Sequence, residues 1–148
     1  MEEFNTIEKI RKLFKDVNCE GKENCYFIAY KDMTRNSGMV NGMEYPYDAL
    51  LINRTENGLG VFYLQQDGIP WKYNISKMHV DKNSYFFIKN EDIKSVIIKN
   101  WALLNSKTKR VALKLNNGKF HQLYVNLTEK LIPYQNENFA KFISIYDK

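Results

Sequence analysis

The sequence predicts a mainly β domain of about seven antiparallel strands with one helix at each end. Three observations carry that reading. Short aromatic and β-branched runs of strand length recur between residues 25 and 125. Turn-forming Asn, Asp and Gly residues punctuate them. At both ends of the chain the apolar spacing changes from two residues to three and four. The alternative arrangement of the same elements is an α+β domain with one antiparallel sheet and two packed helices. The 148 residues contain no repeat and no Pro/Ser/Gly-rich linker, so residues 1–148 read as a single domain. A chain of this length can build a core without a disulfide or a metal.

In residues 4–17, Phe4, Ile7, Ile10, Leu13, Phe14 and Val17 form one helical stripe, with Glu8, Lys9, Arg11, Lys12 and Lys15 largely on the other side. This predicts a helix within residues 1–20, opened by Asn5 with Glu8 and stopped by Asn18 and Gly21. Such a basic amphipathic stripe can lie on a membrane, but it docks more readily on its own domain. The expected strands are residues 25–31, 47–53, 58–65, 84–89, 93–99, 109–115 and 120–125. Arg35-Asn36-Ser37-Gly38, Asn41-Gly42, Glu56-Asn57-Gly58, Asp67-Gly68 and Asn117-Gly118 supply turns between them. Asn117-Gly118 suits a two-residue type I′ loop, which places Leu115 opposite Phe120, Leu113 opposite Gln122 and Val111 opposite Tyr124. Val111, Leu113 and Leu115 then face inward, while Arg110, Lys114 and His121 share the other face with Ala112, Leu123 and Val125. After Pro133 the chain turns helical, with Asn136 as N-cap, Glu137 in the first turn, and Phe139, Phe142, Ile143 and Tyr146 on one apolar face.

Seven strand candidates followed by one amphipathic helix is an element order that resembles the bacterial pleckstrin-homology-like (PH-like) domains. The step Phe86-Phe87-Ile88-Lys89-Asn90-Glu91-Asp92-Ile93-Lys94-Ser95-Val96 and the hairpin Val111-Ala112-Leu113-Lys114-Leu115-Asn116-Asn117-Gly118 are similar to theirs. The resemblance covers residues 25–146 and leaves the first helix as an addition. It implies a partly open barrel of two near-orthogonal antiparallel sheets, curled into a cup that Phe139, Phe142 and Ile143 stopper. Eukaryotic relatives that bind phosphoinositides carry a Lys and then Lys/Arg-x-Arg between their first two strands. Residues 31–47 offer only Lys31 and Arg35 and lack that cluster. Other members bind peptides or proteins in a groove between a sheet edge and the helix, or act as scaffolds.

The formal net charge is +5, and its halves differ: residues 1–93 carry −2 and residues 94–148 carry +7. An anionic partner is one reason for such asymmetry. Codon bias is another, since Lys, Asn and Ile make up 48 of 148 residues. Only four arginines are present, which argues against nucleic acid, where bidentate guanidinium contacts dominate recognition. Lys94, Lys99, Lys107, Lys109, Arg110, Lys114 and Lys119 fall within 26 residues that hold no Asp or Glu. Trp101 lies among them, in residues 100–107, which read as a loop. A second aromatic cluster around Trp71 lies in the long connection of residues 65–83. The candidate binding residues are therefore Lys99, Trp101, Lys107, Lys109, Arg110, Lys114 and Trp71. The expected role is a non-catalytic module that binds a protein or peptide through a PH-like groove or this basic face. Peripheral binding to anionic membrane lipid is the first alternative, and a small enzyme the second.

No phosphate loop, dinucleotide fingerprint, nucleophile elbow or zinc-protease helix is present in the sequence, so no cofactor and no metal are expected. His79 and His121 lie in different segments. His79 reads as a surface loop residue, with Asp81 two positions on as its nearest acid–base partner. Cys19 and Cys25 fit no redox or zinc spacing and read as free thiols. With an acidic start and no apolar run long enough to cross a membrane, the chain is expected to be cytoplasmic, and its three glycosylation sequons carry no meaning there.

Overall fold

The computed structural model describes residues 1–33, 46–68 and 72–146. The turns expected over residues 35–42 lie outside the described residues, as does Trp71; Tyr73 of the same cluster is described and packs on Tyr30, 4.7 Å ring to ring. The strands are β1 (Asn24–Tyr30), β2 (Ala49–Thr55), β3 (Gly58–Gln66), β4 (Met78–Lys89), β5 (Ile93–Ala102), β6 (Asn105–Leu115) and β7 (Phe120–Asn126). They form one antiparallel sheet in the order β4-β3-β2-β1-β7-β6-β5. The helices are α1 (Ile7–Asp16) and α2 (Gln135–Tyr146). Among the described residues no helix is long and apolar enough to cross a membrane.

Strand number and antiparallel pairing agree with the sequence reading, but the strands form one sheet that is not closed into a barrel, rather than two near-orthogonal sheets. β4 and β5 follow one another through a single turn of 3-10 helix, Asn90–Asp92, yet they do not pair and remain the two edges of the sheet. That turn is held by neighbours on both sides: Asn90 donates its amide to Asn57 O, and Asn116 donates to Asp92 O. The chain therefore passes from one half of the sheet to the other at a fixed corner, and the two strands diverge from it. The sheet still curls. Phe27, Ile52, Leu59 and Val61 of one half share a buried cluster with Val111, Leu113 and Leu123 of the other.

Helix α2 seals this inner cluster, and the sequence pattern identified its face. Phe139 and Phe142 are buried and lie 5.1 and 4.8 Å, ring to ring, from Phe27. Ile143 and Tyr146 pack alongside. The helix begins at Gln135, one residue before the expected cap Asn136, because Gln135 is needed elsewhere. β1 and β7 meet in register only at Tyr30–Tyr124. Beyond that point Gln135 Oε1 accepts from Ile28 N (2.9 Å), and its Nε2 donates to Ile28 O (3.1 Å) and Asn126 O (2.9 Å). One turn on, Asn138 Oδ1 accepts from Tyr26 N. The helix thus supplies to β1 the hydrogen bonds that a neighbouring strand would otherwise make.

The opposite, outer face of β1–β4 is covered by α1. Phe14 packs on Tyr26 and Phe62, and Phe4 and Ile10 are fully buried beside them. The N-cap is Thr6, whose hydroxyl accepts from Lys9 N, rather than Asn5. Gly60 makes the approach possible, since a Cβ there would lie 2.4 Å from Cys19 Sγ. Cys19 and Cys25 are both free and buried, and burial raises both thiol pKa values.

Three strands are longer than their sequence signal. β4 takes in residues 78–83, read as connection, because Met78 and Val80 point into the α1-side core while the intervening positions stay polar. His79 is accordingly a strand residue rather than a loop residue. Its Nδ1 lies 3.5 Å from Asp67 Oδ1, so its acidic neighbour is Asp67 and not Asp81. β5 and β6 extend through residues 100–107, so that expected loop shrinks to Leu103 and Leu104.

Candidate functional site

The outer face of β5, β6 and β7 is set by the turn that joins the last two strands. Asn116, Asn117 and Gly118 form a three-residue loop in which Gly118 takes φ +87° and donates its amide to Leu115 O. This is the type I turn plus left-handed glycine, not the expected two-residue loop. One extra loop residue moves the register by one. Phe120 faces Lys114, His121 faces Leu113, Gln122 faces Ala112, Leu123 faces Val111 and Tyr124 faces Arg110. The expected pairing is thereby corrected, and with it the sides of β7. Val111, Leu113 and Leu115 do face inward, but they do so with His121, Leu123 and Val125.

The corrected register places Phe120, Gln122 and Tyr124 outward, beside Lys114, Ala112 and Arg110. On the other flank, β5 sets Ser95, Ile97 and Lys99 opposite the same three residues. The face thus reads across the strands as Lys99–Arg110–Tyr124, Ile97–Ala112–Gln122 and Ser95–Lys114–Phe120. Ile97 is 50% exposed and Phe120 56% exposed, so no described part of the chain covers it. Lys99 and Arg110 are like charges directly opposed, an arrangement that costs stability. Neither they nor Lys114 make an ion pair among the described residues. No Asp or Glu occurs anywhere from Ile93 to Thr128.

The candidate residues distribute unevenly. Lys99, Arg110 and Lys114 come together on the outer face. Lys109 alternates to the inner side in the first half of β6, where its ammonium donates to Asn100 Oδ1. Lys107 is exposed near the start of β6, where its carbonyl accepts from Leu127 N. Trp101 is a strand residue two positions beyond Lys99 and is 42% exposed. Trp71 lies outside the described residues.

Sequence reasoning missed Ile97, Phe120 and Tyr124, and above all Leu103 and Leu104. The β5–β6 turn closes on the pair Ala102–Asn105, leaving these two leucines alone at its tip, 97% and 98% exposed. Tight hairpins favour Asn-Gly or Gly-containing pairs. A Leu-Leu pair between two β-branched runs breaks that rule, and this was the available signal.

Two spaces lie against this half of the sheet. Inside the curl the apolar cavity is about 20 Å³, room for roughly one water and no ligand. Between the β4 edge and the β6–β7 turn lies a groove of about 720 Å³ lined by Tyr63, Phe86, Phe87, Lys119 and His121, among others. His121 is held below the usual imidazole pKa by burial and by nearby Lys119, which favours its neutral form. Among the described residues no three metal-ligating side chains converge. Compared with known proteins, the chain matches no family model, no curated protein and no solved structure.

Proposed function

We propose that the chain is a non-catalytic binding module that holds an anionic partner on the outer face of β5, β6 and β7. The observation that supports this is the juxtaposition of Lys99 with Arg110, and of Lys114 one step along, on an uncovered face whose surrounding 36 residues contain no acid. Like charges held this close repel until an anion bridges them, so bound anion recovers energy that the fold gives up. The readout is retention on immobilised heparin under a salt gradient. The triple variant Lys99→Glu, Arg110→Glu, Lys114→Glu elutes at clearly lower salt, with stability changed by less than about 1 kcal/mol. Reversing Lys9, Lys12 and Lys15, which lie exposed on α1, removes the same net charge and leaves elution nearer the wild type. Equal loss in both triples means bulk charge alone is read, and the proposal fails.

A second reading is favoured by the open groove along the β4 edge. An extended peptide could pair with the unsatisfied backbone of that edge and seat side chains against Phe86 and Phe87. In a peptide-array screen, Phe87→Glu then abolishes binding while the heparin profile is unchanged.

A further inference from the structure

We infer that the anionic partner is a lipid bilayer surface and that Trp101, Leu103 and Leu104 are the part of the molecule that enters it. The inference rests on the anionic-partner reading above and adds the identity of the partner.

The first support is exposure. Leu103 and Leu104 are 97% and 98% exposed, and Trp101 two residues away is 42% exposed. Single exposed apolar residues are ordinary; two adjacent leucines at the apex of a hairpin, with no described residue covering them, are not. Neither leucine has positive φ, so the turn gains nothing from them as turn formers. A local rule broken without a structural return is what a functional site looks like.

The second support is the order of chemistry along the hairpin. The apex is apolar, and the cations stand back from it: Lys107 three residues behind Leu104, Lys99 four behind Leu103, and Arg110 opposite Lys99. At about 3.3 Å per residue, they sit ~10–13 Å from the apex. An amphipathic element enters a bilayer by ~5–10 Å. With the leucines at that depth, the ammonium and guanidinium groups fall at the phosphate level of anionic lipids. Trp101, between leucines and cations, occupies the interfacial zone that indole favours. A protein pocket would need to be shaped to receive a convex tip, whereas a fluid bilayer receives it as it stands. The lack of any acid over the same stretch removes the repulsion an anionic surface would otherwise exert.

The test is co-sedimentation with two kinds of vesicle, phosphatidylcholine alone and phosphatidylcholine mixed with phosphatidylglycerol. Wild type sediments with the mixed vesicles and not with the neutral ones. The variant Leu103→Ser/Leu104→Ser, altered only at exposed turn positions, loses at least about tenfold in partitioning to mixed vesicles while its heparin elution stays unchanged. In a Trp71→Phe background the emission of Trp101 shifts to the blue on adding mixed vesicles. Sedimentation of the double serine variant equal to wild type overturns the membrane inference and leaves the anionic-partner reading standing. Equal recovery of wild type on both vesicles, or on neither, overturns it too. Loss of the distinction between the two charge-reversal triples on heparin removes the underlying reading instead.

Discussion

The two halves of the sheet are built from similar strands and differ in what covers them. β1 to β3 are packed on both faces, by α1 outside and by the other half and α2 inside, with β4 half-buried at their edge. β1 is buried at every position after its first. Among the described residues, β5 to β7 are packed on the inner face alone. The uncovered face is also where local rules fail: opposed cations at Lys99 and Arg110, exposed Ile97 and Phe120, and a Leu-Leu hairpin apex. The covered half closes β2 to β3 between Thr55 and Gly58, at the expected Glu56-Asn57-Gly58 turn. One half is therefore covered on two faces, and the other leaves one face bare among the described residues.

That contrast can be broken or sharpened by substitution. The largest effect belongs to the covered outer face. Phe62 packs 5.1 Å from Phe14 and 5.2 Å from Tyr85, ring to ring, and Phe62→Ala costs about 3–5 kcal/mol in denaturant unfolding. Next comes the seam between the halves. Gln135→Ala leaves both polar backbone groups of Ile28 and the carbonyl of Asn126 without their partner, at a cost of about 3 kcal/mol. A loss below ~0.5 kcal/mol would mean that α2 does not hold the diverging strands.

A smaller effect, visible through its pH dependence, sits at the same seam. Glu129 is half-buried against Asn126, whose Nδ2 donates to Oε1 at 2.8 Å, and against Tyr30. Burial raises its pKa above the usual carboxylate value. A raised folded-state value stabilises the fold below the unfolded pKa, and that contribution is lost as pH rises through the folded one. Glu129→Gln therefore unfolds at a higher temperature than wild type at neutral pH, and the difference shrinks to nothing in acid. A variant less stable than wild type at neutral pH would contradict this. The smallest effect is the counterpart of Phe62: Phe120→Thr, on the uncovered outer face, changes stability by less than about 0.5 kcal/mol. A cost near that of Phe62→Ala would erase the distinction between the halves.

Part of the candidate site was legible in the sequence. The acid-free basic run and Trp101 stand out in any reading, because charge and aromatic content need no coordinates. Which lysines cooperate was not legible. Lys109 and Arg110 are neighbours in sequence and lie on opposite sides of β6, whereas Lys99 and Arg110 are eleven residues apart and adjacent in space. Phe120 and Tyr124 joined the face only through the third residue of the β6–β7 loop. A two-residue and a three-residue loop both accept Asn117-Gly118, so local turn chemistry leaves the register open by one.

Residue type and spacing by themselves determined the elements: strand number, antiparallel pairing, the two amphipathic helices and the residues that face the core from α2. These follow from periodicity, which the chain carries locally. Tertiary structure alone decided that the sheet stays open, that α2 takes a strand's place beside β1, and which face of β5 to β7 is left bare. Those outcomes depend on where β4 and β5 diverge and on hydrogen bonds between residues more than a hundred positions apart, such as Ile28 with Gln135. No local pattern encodes them, because each becomes favourable only when both partners have already been brought together.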